Sequence, residues 1–92
     1  MFPILASSNI TEETLEEIFE RKFRFHPSHV QNYTVAGEDE AFVFEASTSD
    51  GQGVIIYLSY TEMKQLDKMN EGCKRISGKC DNNIQCYIYT KK

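Results

Sequence analysis

The chain lacks long hydrophobic runs and lacks an excess of basic residues. No apolar stretch in its 92 residues approaches the roughly 20 residues that a membrane-spanning helix requires. Ten Lys and Arg residues against fourteen Asp and Glu residues leave a formal net charge of −4, whereas non-specific binding to nucleic acid needs a basic surface. We therefore expect neither a membrane nor a nucleic acid as a partner.

Cysteine and histidine are also scarce. Three cysteines, Cys73, Cys80 and Cys86, and two distant histidines, His26 and His29, lack the spacing of a metal site. We expect no metal and no cofactor. The cysteines are interpreted as reduced thiols, with a Cys80–Cys86 bridge across a hairpin as the alternative. The histidines are interpreted as structural or surface residues of a loop.

The chain has no room for a second core, so we assign residues 1–92 to a single domain. Its 40% hydrophobic and 12% aromatic content is typical of a globular protein. The opening MFPILA is too short and too uncharged for a signal peptide. We predict a cytoplasmic protein, and the sequence predicts no oligomeric state.

The most informative stretch is 53–72, GVIIYLSYTEMKQLDKMNEG. Its β-branched and aromatic run at 54–58 predicts a strand buried on both faces. Ser59 and Glu62 have the spacing of a capping box at a helix start, and Gly72 suits a left-handed residue after the helix end. The apolar stripe predicted for this helix is Met63, Leu66 and Met69.

Similar patterns predict the remaining elements. A first helix is expected after a cap at Asn9 or Thr11, with acidic residues in its first turn, and Asp81-Asn82-Asn83 is expected to turn a hairpin. The apolar stripe of the first helix is Leu15, Ile18, Phe19 and Phe23. The other predicted strands are 2–6, 30–36, 41–46, 74–80 and 84–89. We therefore predict an α+β domain with two helices and a mixed sheet, curled or closed into a small barrel.

The order of these segments resembles that of the γ-glutamylcyclotransferase-like family. Residues 53–57 and 66–72 resemble its G-V-apolar-apolar strand and its L-D-x-x-x-E-G helix end. Ser8-Asn9-Ile10 resemble the second half of its Tyr-Gly-Ser-Asn-Leu loop, and Tyr89 is similar to a Tyr late in its last strands. The sequence departs from the family at Ala6-Ser7, which replace Tyr-Gly.

The resemblance implies a mixed barrel and an intramolecular reaction in which the amine of a γ-glutamyl group attacks its own γ-carbonyl. The products are 5-oxoproline and a released amine or amino acid. Glu71 is then the acid–base residue, and Tyr89 contacts the substrate. Backbone N–H groups bind the α-carboxylate of the substrate in the loop of Ser7, Ser8, Asn9 and Ile10.

Simpler interpretations of these residues stay open. Glu71 can be an ordinary surface residue, Ser8-Asn9 a helix cap, Tyr89 a sheet-packing aromatic and Asp67 a solvated helix residue or local cap. The alternative function is a catalytically degenerate member of the family that acts as a protein-binding modulator. Such a protein could be an inhibitor or antitoxin-like, and phage-encoded.

The acidic face of the first helix suits a basic partner protein in that alternative. Its residues are Glu13, Glu16, Glu17 and Glu20. A third interpretation is an α+β interaction module unrelated to the family. If Glu71 points into a pocket beside Ser8 and Asn9, the enzyme and the degenerate family member both stay possible; if it points to solvent far from that loop, only the unrelated module remains.

Overall fold

The structure is a computed structural model that describes residues 1–81 and 84–91. Within these ranges seven strands and two helices form a mixed α+β fold. The elements in chain order are β1 (Phe2–Ser7), α1 (Glu12–Phe19), β2 (His26–Val30), β3 (Tyr33–Val35), β4 (Val43–Ala46), β5 (Gly51–Leu58), α2 (Tyr60–Met69), β6 (Cys73–Lys79) and β7 (Gln85–Lys91).

The strands form one seven-stranded mixed sheet in the order β2-β5-β1-β7-β4-β3, with β6 also paired to β7. β1 is antiparallel to β5 and parallel to β7, and β7 is parallel to β4. β2 lies at an edge of the sheet. This position is expected for a strand that contains Pro27, because proline has no N–H to donate and cannot complete the hydrogen bonds of a central strand.

The predicted barrel is not confirmed, because the sheet is not closed. Strands β2 and β6 approach each other at one end, where the N–H of Gln31 donates to the carbonyl oxygen of Lys79 (3.0 Å). A ladder of paired residues between these two strands is absent from the described part of the chain. The mixed sheet and the two helices agree with the prediction.

The core lies on both faces of the sheet. Ile56 and Leu58 of β5 pack with residues of both helices, including Leu15 and Leu66, whereas Ile55 packs in a second cluster on the other side. Tyr57 is 42% exposed. The prediction of a strand buried on both faces is therefore confirmed at Ile55, Ile56 and Leu58, whereas Val54 is half-buried.

The start of α2 is the predicted capping box. The hydroxyl of Ser59 accepts from the N–H of Glu62 (3.2 Å), and the Glu62 carboxylate accepts from the N–H of Ser59 (2.8 Å). Of the predicted stripe, Met69 is exposed rather than buried. The prediction that Gly72 adopts a left-handed conformation is wrong, since no glycine among the described residues has a positive φ. Instead Asn70 caps the helix end through its side chain, which donates to the carbonyl oxygen of Leu66 (3.1 Å).

Helix α1 begins at the predicted cap Thr11 but ends earlier than predicted. Glu20 adopts a left-handed conformation (φ 57°) and terminates the helix. Phe23 is therefore not a helix residue, although its side chain is buried in the core. The histidines are also placed differently. His26 and His29 lie in β2, paired with β5, and not in a loop.

Strands β6 and β7 form the predicted antiparallel hairpin; Asn82 and Asn83 of its expected turn lie outside the described residues. Cys80 and Cys86 are joined by a disulfide, with Cα atoms 6.2 Å apart, and Cys73 is a free thiol. The interpretation of three reduced thiols is therefore wrong for two of them, because the hairpin brings both Cα atoms within disulfide range.

No helix in the described residues is both long enough and apolar enough to cross a membrane. The cytoplasmic location stays a prediction.

Candidate functional site

The end of β1 positions the loop 7–10. Ser7 lies opposite Gly53 in the β1–β5 pair, where a Cβ atom on Gly53 would collide with the carbonyl oxygen of Ala6. Glycine therefore allows the two strands to approach closely at this point. The cap of α1 at Thr11 follows directly. The loop is thus fixed between a strand end and a helix start.

This loop lines a cavity of about 240 Å³, which we call the acidic cavity. Its lining residues are Ser7, Asn9, Ile10, Thr14, Glu38, Asp39, Glu40 and Ala41. Three of the four residues predicted to bind the substrate carboxylate are therefore in one place. Ser8, the fourth, is exposed and is not among the lining residues.

The backbone N–H groups of the loop are used within the protein. The N–H of Ser7 donates to the carbonyl oxygen of Ala41 (2.7 Å), and the N–H of Ile10 donates to the carbonyl oxygen of Ser7 (3.1 Å). The N–H of Asn9 donates to the hydroxyl of Ser7 (3.2 Å). Three of the four predicted carboxylate donors are therefore already satisfied.

The charge of the cavity is negative. Glu38 and Asp39 are exposed and Glu40 is half-buried, and all three line it. Glu17 lies three residues after the lining residue Thr14, so it projects from the same side of α1. Clustered carboxylates raise the local concentration of cations and repel anions. The cavity therefore suits an ammonium or guanidinium group better than a carboxylate.

Glu71, the predicted acid–base residue, lies in the short turn between α2 and β6. It is exposed, and it is not among the residues that line the acidic cavity. The structure therefore does not group Glu71 with Ser7, Asn9 and Ile10.

Tyr89 belongs to a separate polar cluster. Its ring is buried, and its hydroxyl donates to the Asp67 carboxylate (2.5 Å). The guanidinium of Arg75 donates to both oxygens of the same carboxylate (2.8 and 2.7 Å). These three residues line a cavity of about 350 Å³ together with Cys73 and Lys74.

The geometry makes this cluster a structural clamp. Burial raises the pKa of Tyr89, and the Asp67 carboxylate raises it further, so the phenol stays protonated and acts as a donor. Asp67 in turn accepts bonds from β6 and β7 and connects them to α2. The interpretation of Asp67 as a solvated residue or local cap is wrong. Its partners are 8 and 22 residues away in sequence, so no local pattern indicates them.

The chain matches no protein-family model and no curated protein sequence. Its fold is similar to the solution structure of At3g28950.1 from Arabidopsis thaliana, with a TM-score of 0.71 and 15% sequence identity. The match covers 98% of this chain and 60% of the Arabidopsis chain. This likeness shows a shared fold, and the chain spans about three fifths of the length of that neighbour.

Proposed function

We propose that the chain is a protein-binding modulator that receives a basic side chain of a partner in its acidic cavity. In this proposal it is an α+β interaction module, and no relation to the γ-glutamylcyclotransferase-like proteins is required, because Glu71 is exposed and does not line this cavity. Two observations support the proposal. The backbone N–H groups of Ser7, Asn9 and Ile10 already donate hydrogen bonds within the protein. The cavity beside them is lined by the acidic residues Glu38, Asp39 and Glu40.

The substitution of Ala6-Ser7 for the family's Tyr-Gly supports the same proposal. A glycine permits close approach of a ligand to the backbone, whereas Ser7 is 2% exposed and uses its hydroxyl to bind the N–H of Asn9. The loop that would cradle a carboxylate is therefore closed by its own side chain. A lysine or arginine of a partner would instead meet the carboxylates at the cavity rim.

The binding should depend strongly on salt. The acidic side chains at the rim are largely solvated, and exposed ion pairs contribute only about 0.2–1 kcal/mol each. Charges at such positions mainly steer association and select partners of opposite charge. Specific affinity then has to come from contacts that a particular partner makes around the cavity.

A second candidate function is the cyclotransferase reaction itself. It is favoured by the grouping of Ser7, Asn9 and Ile10 in one cavity, as the resemblance implies. The attack is intramolecular, so orientation and one proton-transfer group would suffice. Glu71 would have to move toward the loop to serve as that group.

Binding of a short oligolysine peptide tests the first proposal. We expect Glu38→Gln/Glu40→Gln to weaken binding by about fivefold, because two rim charges of about 0.5 kcal/mol each are lost. The charge-matched control Glu45→Gln/Glu71→Gln should bind as the native chain does, since neither residue lines the cavity. Equal weakening of binding in both variants would show that only the net charge of the protein matters, and would contradict a binding site in the acidic cavity.

Release of 5-oxoproline from a panel of γ-glutamyl amines and amino acids tests the second candidate. We expect no release by the folded native chain. Release that disappears in Glu71→Gln would instead establish the enzyme and identify its acid–base residue. Release that persists in that variant would establish an enzyme with a different proton-transfer group.

A further inference from the structure

A second cavity, of about 430 Å³, has the opposite charge. We call it the basic cavity; its lining residues are Met1, Arg21, Lys22, Phe23, Arg24 and Tyr57. It shares no lining residue with the acidic cavity. In a chain of net charge −4, three cationic side chains within four residues make a local field opposed to that of the whole molecule.

One wall of this cavity is held in place by the contacts of Arg21. Arg21 donates to both oxygens of the Glu62 carboxylate (2.6 and 2.8 Å) and to the carbonyl oxygen of Tyr57 (2.9 Å). Its guanidinium also lies 3.9 Å from the ring centre of Phe23, which is buried. Segment 21–24 is thereby fixed against α2 and β5.

Fixing this segment leaves two cations free to contact a ligand. Lys22 and Arg24 are exposed on either side of the buried Phe23. None of the ion pairs among the described residues involves either of them. Arg21, in contrast, is neutralised by Glu62, so the cavity carries a net charge from Lys22 and Arg24.

Exposed apolar side chains lie beside these cations. Met1 is 75% exposed and Tyr57 is 42% exposed, and both line the cavity. Tyrosine, methionine and arginine are among the residues enriched in protein interfaces. The combination is therefore that of a protein-binding surface.

We propose that the basic cavity binds an acidic segment of a partner protein that carries an apolar side chain between its carboxylates. The apolar side chain packs against Met1 and Tyr57, and the carboxylates lie next to Lys22 and Arg24. This surface is independent of the acidic cavity and of the function proposed for it.

The charge pattern favours a peptide over a lipid surface. Recognition of anionic membranes typically uses clusters of about four to eight basic residues, whereas Lys22 and Arg24 are two. The net charge of −4 also opposes approach to an anionic bilayer. A short acidic segment needs only two cations and an apolar contact.

Fluorescence anisotropy with a labelled peptide, one leucine flanked on both sides by glutamates, tests the proposal. We expect saturable binding that falls about fivefold in Lys22→Gln/Arg24→Gln, as the loss of two exposed charge pairs implies. The control Lys68→Gln/Lys79→Gln removes two exposed charges elsewhere and should bind normally. Tyr57→Thr should also weaken binding, because it removes the aromatic contact and keeps a residue that suits a strand.

Three outcomes would overturn the proposal. The first is equal binding of a control peptide with glutamines in place of the glutamates. The second is binding to vesicles rich in phosphatidylserine without binding to the peptide, which would assign the surface to a membrane. The third is a dimer of the native chain in light scattering that Lys22→Gln/Arg24→Gln dissociates, which would assign the surface to a second copy.

Discussion

Asp67 shows how one residue can have a role that its position in the sequence conceals. It lies on the apparent solvent side of a helix, yet its carboxylate is 29% exposed and accepts bonds from Tyr89 and from Arg75. Tyr89 and Arg75 are register partners on neighbouring strands. The carboxylate therefore ties α2 to two strands at once.

Tyr89→Phe should lower the free energy of unfolding by about 1.5–3 kcal/mol, the usual contribution of a hydrogen bond to a charged acceptor. The arginine would still hold Asp67, so the fold should survive. Urea unfolding measures the change, with the exposed Tyr60→Phe as a control that should leave the midpoint unchanged. Equal midpoints for the native chain and Tyr89→Phe would show that the hydrogen bond from Tyr89 to Asp67 does not stabilise the fold.

Glu62 gives the protein a predictable acid sensitivity. Hydrogen bonds from Arg21 lower the pKa of Glu62 from 4.5 to about 2. Because the folded pKa is below the unfolded one, the ionised carboxylate stabilises the fold above pH 4.5, and this contribution is lost as the pH falls toward 2. Glu62→Gln should therefore lose less stability than the native chain within that window.

Denaturant midpoints measured at neutral pH and across that acidic window test the effect of Glu62. The control is Glu45→Gln, at an exposed strand position, which should follow the native pH profile. If Glu62→Gln and the native chain lost stability in parallel, the ion pair with Arg21 would have no role in acid unfolding.

At the scale of elements, the sequence predicts the end of a helix where the interactions that determine it lie within one turn. Ser59 and Glu62 predicted the start of α2 because both halves of a capping box lie within one turn. The early end of α1 was missed because Phe23 continues the helical spacing while Arg21 is held by the distant Glu62. Gly72 was misassigned because the Asn70 side chain already caps the helix end.

The β6–β7 hairpin carries the disulfide, so its stability should depend on redox conditions. Closing a loop with a sequence separation of 6 stabilises a protein by about 2 kcal/mol in the chain-entropy account. Adding dithiothreitol should lower the free energy of unfolding by that amount. Cys80→Ser/Cys86→Ser should be insensitive to the reductant, and Cys73→Ser should keep the native sensitivity.

Urea unfolding with and without the reductant gives this comparison directly. An unchanged midpoint for the native chain would show that the bridge is absent in solution or does not stabilise the hairpin. The sequence alone does not decide between a bridge and free thiols, because the spacing of two cysteines does not reveal the register of the strands that carry them.

At the scale of the molecule, the sequence predicted the α+β class but not the strand order. β1 pairs with β5 and β7, and nothing in the local pattern of residues 2–7 specifies partners so far along the chain. The same limit applies to the candidate site. Ser7, Asn9 and Ile10 line one cavity because they are neighbours in sequence, whereas the position of Glu71 relative to them depends on distant parts of the fold.

Net charge concealed a further property of the whole molecule. The total of −4 does not reveal that acidic residues of loop 38–40 line one cavity and basic residues of segment 21–24 line another. Composition gives only the total charge, whereas the structure places the two charged runs in separate cavities. Two surfaces of opposite charge would allow the chain to bind partners of different chemistry.

The most direct test of the proposed function is amide chemical-shift mapping by NMR during titration with the oligolysine peptide. We predict salt-sensitive shifts at Ser7, Asn9, Ile10 and loop 38–41, which surround the acidic cavity. Shifts at those amides with a γ-glutamyl amine but not with the lysine peptide would contradict the account and favour the enzyme.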